Sequence, residues 1–205
     1  MRFPFFPLLA AGVLAPALHA TTVLPSSLEE LVAQAELVVR ATVTNTRCEW
    51  RGAGEDRRIV TVVTIRVRET LVGDAPPELA LEFLGGEVDG QWMRVEGQPR
   101  FKVGDEDFLF VAGNGRNLCP LVGMMFGRYL VAQDDAGRQL VARENGVPLT
   151  DVEEIATPLD GGPVAHVLAR SQRGQAMTPA DFSAVVRDVA RRLGRTDVGS
   201  AGPPL

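Results

Sequence analysis

The chain has 205 residues, 45% hydrophobic and 23% charged, enough for one domain with an extension. Its formal charge of −5 and its scattered arginines argue against nucleic acid or anionic membrane as partners.

Residues 1–20 read as a secretory leader. Arg2 supplies the positive start, and Phe3 to Ala17 is apolar and uncharged. Ala17 to Ala20 (ALHA) ends on a small residue suited to cleavage, with a cut after Ala17 as the alternative. The apolar run is shorter than the ~20 residues a membrane helix needs, and it contains Pro4, Pro7 and Pro16. The expected mature chain begins at Thr21-Thr22, is periplasmic or secreted, and has no membrane span.

Ser26 or Ser27 caps a short helix, with Glu29 and Glu30 in its first turn and Leu28, Leu31, Val32 and Ala35 on one face. Strand patterns follow at Glu36 to Asn45, Arg57 to Leu71 and Leu79 to Leu84. The second is long enough to bend, as barrel strands do at a bulge. Gly85-Gly86 breaks the pattern, and Asp89-Gly90 signals a hairpin into Gln91 to Val95. Asp107 to Ala112 is the most apolar short strand. Arg128 to Ala132 and Gln139 to Arg143 form a hairpin around Asp134 to Gly137, an acidic turn without the ligand spacing of a calcium loop. Pro148 to Gly162 reads as loop. Thr178-Pro179-Ala180-Asp181 starts a helix over 179–193, with Phe182, Val185, Val186, Val189, Ala190 and Leu193 at helical spacing and Gly194 as its stop. Gly199 to Leu205 is expected to be disordered.

This order predicts a mainly β fold: a five- to six-stranded antiparallel barrel of oligonucleotide/oligosaccharide-binding (OB) type over 21–145, with a short N-terminal helix. Its expected core includes Val39, Val63, Phe83, Phe108 and Phe110. Residues 146–205 are expected as an extension carrying the C-terminal helix.

Cys48 and Cys119 remain after the leader is removed, an even number in an oxidising compartment, so a bridge between them is expected. Two buried free thiols are the alternative. A metal site has little support, because His166 is the one histidine after the leader and neither cysteine has a second ligand nearby.

Three runs carry a resemblance: AELVVRATV (Ala35 to Val43), VTIRVRETLVGD (Val63 to Asp74) and VGDEDFLFVAG (Val103 to Gly113). They resemble the inhibitory domain of tissue inhibitors of metalloproteinases, in the netrin-like group. They are also similar to exported bacterial proteins with a double Gly, a G-x-P-x-F segment and a G-[ED]-E strand; here these are Gly85-Gly86, Gly97 to Phe101 and Gly104-Asp105-Glu106. The resemblance implies the barrel and a role in binding a protein, with an exported protease as one partner class. It bears on fold more than on activity. Those inhibitors chelate zinc through the free amine and carbonyl of an N-terminal cysteine, whereas this chain places Thr21 there, and its amine has nothing to fix it.

Catalytic motifs are missing. The serines lie in caps and tails without a G-x-S-x-G elbow, and the Gly-rich pieces lack a P-loop lysine. Asp105-Glu106-Asp107 alternates across a strand and reads as solvated turn charge. The expectation is a non-enzymatic binding module without cofactor, contacting an exported protease or other envelope protein. Trp92 and Met93 are its candidate contact residues beside Thr21 and Thr22. A structural envelope protein, and a hydrolase with an unrecognised carboxylate pair, are the alternatives.

Overall fold

The computed structural model describes residues 26–159 and 173–195; the leader, Thr21, Thr22, His166 and the tail from Gly199 lie outside them. The described residues contain helix α1 (Leu28–Gln34), strands β1 (Leu37–Arg51), β2 (Arg58–Val72), β3 (Glu78–Leu84), β4 (Gly86–Val88), β5 (Gln91–Met93), β6 (Glu106–Val111), β7 (Arg128–Gln133) and β8 (Gln139–Arg143), and helix α2 (Pro179–Arg192). The fold is mainly β and antiparallel, with one helix towards each end of the described chain, as the sequence predicts.

Six strands form one sheet in the order β3-β2-β1-β6-β7-β8, and β4 and β5 pair as a separate hairpin. The expected barrel does not close, since the sheet order has β3 and β8 as its two edges. Both edges are satisfied by other groups. The Asn114 side chain accepts from the Glu82 N–H (3.0 Å) and donates to the Ala80 carbonyl (2.8 Å) on β3. On β8, the Val141 N–H donates to Met177 and its carbonyl accepts from Leu149. An edge covered in this way offers no template for a further strand.

β1 runs to Arg51, well past the expected end at Asn45. Its register with β2 slips between Val43 and Asn45, leaving Thr44 as an extra residue. The Thr44 hydroxyl donates to the Thr64 carbonyl at this irregularity. The slip resets the alternation, so the polar run after it did not read as strand.

The five expected core residues are all buried, but they divide between two faces of the sheet. Phe108 and Phe110 face the helices, in a cluster with Leu31, Val38, Leu149, Ile155, Phe182 and Val186. Val39, Val63 and Phe83 lie on the other face with Ile65, Leu81, Leu109 and Cys119. A sheet covered on both faces has two cores where a barrel has one. Residues beyond 145 are part of the first core through Leu149, Ile155 and Phe182.

Both helices are capped as their sequences predict. Ser27 with Glu30, and Thr178 with Asp181, form reciprocal capping boxes, and Pro179 opens α2. The helices are also tied to each other, because Arg195 donates to the Val32 and Ala33 carbonyls near the end of α1 (2.6 and 2.8 Å). No helix among the described residues is long and apolar enough to cross a membrane.

Candidate functional site

Gly85 and Gly86 both take positive φ, 104° and 133°, and they redirect the chain out of β3. At Gly86 a Cβ would lie 2.6 Å from Cys48 Sγ and 2.7 Å from Thr61 Oγ1, so only glycine lets the backbone pass this close to β1 and β2. The chain then forms the β4–β5 hairpin. Its turn residues Asp89 and Gly90 both have positive φ, which matches the twist of a tight two-residue turn.

Between this hairpin and β1 lies a cleft of about 850 Å³. Thr46, Arg47 and Cys48 line it from β1, and Arg94 to Phe101 from the segment after β5. Val63, Phe83, Leu84, Val95 and Phe101 are among its apolar residues, and the Phe83 and Phe101 rings are 5.1 Å apart. Trp92 and Met93 line it from β5; Met93 is half-buried, whereas Trp92 is 75% exposed. The two candidate contact residues from this hairpin are therefore brought to one site; Thr21 and Thr22 lie outside the described residues.

The β1 side of the cleft has a second property. Val43 still exchanges backbone hydrogen bonds with Gly104 and Asp105. Past it, β1 pairs with β2 alone, and its other side has no strand partner among the described residues. The cleft therefore runs beside backbone able to accept a further strand.

The expected Cys48–Cys119 bridge is not formed; both are free thiols. Cys48 is exposed at the cleft, with Sγ 3.4 Å from Thr61 Oγ1. Cys119 is buried in the second core, and burial pushes its thiol up to about 11. Phe83 belongs to that same core and also lines the cleft. Thiolate reactivity follows exposure and ionisation. Iodoacetamide should therefore label Cys48 rapidly in the native protein and Cys119 only after unfolding. A single peptide pair linked through both sulfurs, found by non-reducing mapping, would restore the bridge.

One constellation was missed in the sequence. Asp105 and Asp107 were read as solvated turn charge, but Asp107 is 1% exposed and Arg128 is 2% exposed. Arg128 Nη2 lies 2.8 Å from Asp105 Oδ2 and 2.9 Å from Asp107 Oδ2, and its Nη1 lies 3.3 Å from Glu144 Oε2. The Asp107 contact is an ion pair by distance only, because neither of its oxygens has an aligned hydrogen bond. Alternation survives, since Glu106 turns to the other face and pairs with Arg40 at 2.6 Å. The available signal was an Asp-x-Asp entering an apolar strand, with an arginine at the start of the strand that pairs with it.

Three carboxylates share one guanidinium in a buried place. Burial pushes Asp107 up to about 6 against the pull of Arg128, and Glu144 up to about 7 in the same way, with Asp107 and Asp105 adding repulsion. Burial also works against the charge of Arg128, but Asp107 and Glu144 more than offset it and hold the guanidinium protonated. Among the described residues no group of His, Cys, Asp and Glu is suited to hold a metal ion.

This cluster supports the cleft. Arg128 Nη1 donates to the Arg100 carbonyl at 2.6 Å, and the guanidinium carbon lies 4.2 Å from the centre of the Phe101 ring. Asp105 accepts from the Lys102 N–H at 2.9 Å. The wall is also held by Met125 N–H to the Gly97 carbonyl and by the Gln98 side chain to the Leu118 carbonyl. The buried charges thus position one wall of a cleft whose rim is an exposed tryptophan. In comparisons with known proteins, no family model, no curated protein and no solved structure matches the chain.

Proposed function

We propose that the protein is an exported, non-catalytic binding module that takes an extended segment of another exported protein into the cleft. The observation that carries this reading is a groove with the exposed Trp92 on one side and, on the other, a stretch of β1 whose second edge has no strand partner among the described residues. Unpaired backbone recognises backbone, as in strand addition, and an aromatic rim supplies the anchor. An exported protease is the partner class to which the netrin-like resemblance points. The Arg128 carboxylates support a hydrolase less well, because Asp107 faces a guanidinium and is closed off from solvent. Edge-to-edge structural assembly is less well supported too, since β3 and β8 are both covered.

Trp92 is mostly solvated, so Trp92→Ala should change folding stability by less than about 0.5 kcal/mol. A benzophenone attached at Cys48 should crosslink a partner in the native exported fraction, and Trp92→Ala should reduce that product at least tenfold. An equal yield of the same product from the variant would remove Trp92 from the interface. Crosslinks that map outside 44–51 and 92–101 would move the interface away from the cleft.

A further inference from the structure

We propose that the Arg128 cluster is a pH-sensitive clamp on the cleft, holding the wall at Arg100 to Lys102 closed in mild acid and releasing it as pH rises. The inference rests on reading the cleft as the binding site, and it adds how access to that site is regulated.

Backbone connections carry the geometry. Two polar groups of the wall end on this one cluster: the Arg100 carbonyl on Arg128 and the Lys102 N–H on Asp105. Phe101, the residue between them, lies against the Arg128 guanidinium. The wall cannot lift away without taking solvent to these side chains.

Charge sets the direction. With every group ionised, Asp105, Asp107 and Glu144 face a single cation, Arg128. The neighbouring Glu106 adds repulsion on Asp107 but is itself paired with Arg40. Arg143, on β8, donates to the Thr157 side chain, and Arg100 and Lys102 are on the wall itself. The closed wall therefore encloses an excess of negative charge, and protons relieve it. Glu144 and Asp107 hold protons to about 7 and about 6 while the wall is closed. Once the wall is open, water solvates both carboxyls and they ionise in the ordinary range. Opening therefore releases protons, and rising pH favours it.

Hydrogen exchange on the whole mature protein tests this without any partner. The protection factor of the Lys102 amide, corrected for the pH dependence of intrinsic exchange, should fall about tenfold or more between pH 5.5 and pH 8. Amides in the centre of β2, such as Val63, should hold protection well above that of the wall at both values, which separates local opening from global unfolding. Glu144→Gln keeps an oxygen to face Arg128 but has no proton to lose, so its Lys102 amide should show a much weaker pH response. The double variant with Asp107→Asn should show none. Wall protection that is constant or rises with pH in the wild-type protein overturns the clamp, as does an undiminished response in a folded Glu144→Gln. If crosslinking at Cys48 fails while wall protection still falls with pH, the binding reading fails and the clamp stands.

Discussion

Replacing Phe108 by alanine should destabilise the protein by about 3–5 kcal/mol, the range for deleting a fully buried aromatic ring. Phe108 has no exposed surface and lies on β6, inside the sheet. Its ring meets Phe182 of α2 edge-on, with centroids 4.9 Å apart, and Arg40 lies over it at 5.9 Å. The side chain therefore joins the sheet to the C-terminal helix, and its loss leaves a cavity that neither layer fills unaided. Urea unfolding of the wild-type and variant proteins measures the effect. A loss below about 1 kcal/mol would mean that the two layers collapse onto the vacancy, and that the join between sheet and helix is more plastic than its packing implies.

Arg128→Met should cost about as much, roughly 3–5 kcal/mol near neutral pH, because it removes the cation that pairs with Asp107, Asp105 and Glu144 and leaves Asp107 buried. Unlike the loss at Phe108, this one should depend on pH. Asp107 and Glu144 sit at about 6 and about 7 in the folded protein, above their ordinary values of 3.8 and 4.5. Folded chains then bind these protons more tightly than unfolded chains do. That contribution to stability is complete below about pH 4 and is lost as pH rises through 6 to 7. Wild-type stability should accordingly decline between pH 5 and pH 8. In Arg128→Met the decline should be steeper, since nothing opposes the carboxylate charge, and mild acid should recover much of the loss. Denaturant curves at the two pH values decide it; a cost equal at both would show that Arg128 acts through packing on Phe101 alone.

Much of the fold was legible because period and punctuation agreed. Thr178-Pro179-Ala180-Asp181 is a helix start on chemical grounds alone, and α2 begins there. Asp89-Gly90 marks its hairpin because a tight turn needs two positive φ values. The second half of β1 was hidden by the slip at Thr44, which moves the later side chains out of phase with the earlier ones. Barrel closure was not legible either. Whether β3 meets another strand depends on what else satisfies its backbone, and Asn114, thirty residues on in sequence, does so by a side-chain contact. Trp92 and Met93 stand out in the sequence because an aromatic on a hairpin can anchor an interface, and both line the cleft. The Arg128 cluster does not, because Asp105, Arg128 and Glu144 come together only once β7 is in register with both β6 and β8.

The first core has a consequence for the order in which the molecule can be assembled. Val38 and Leu31 come from the beginning of the described chain, whereas Phe182, Val186 and Val189 come from its end. A growing polypeptide can form the β1–β2 hairpin early, from neighbours in sequence. It cannot cover Phe108 and Phe110 until α2 has been synthesised. Closing such a distant contact is slow relative to local pairing. A polypeptide released or cut before residue 182 therefore keeps an apolar sheet face in water, and should be a substrate for chaperones or proteases. A chain that includes α2 can finish this face, so the helix is the closing piece of the first core.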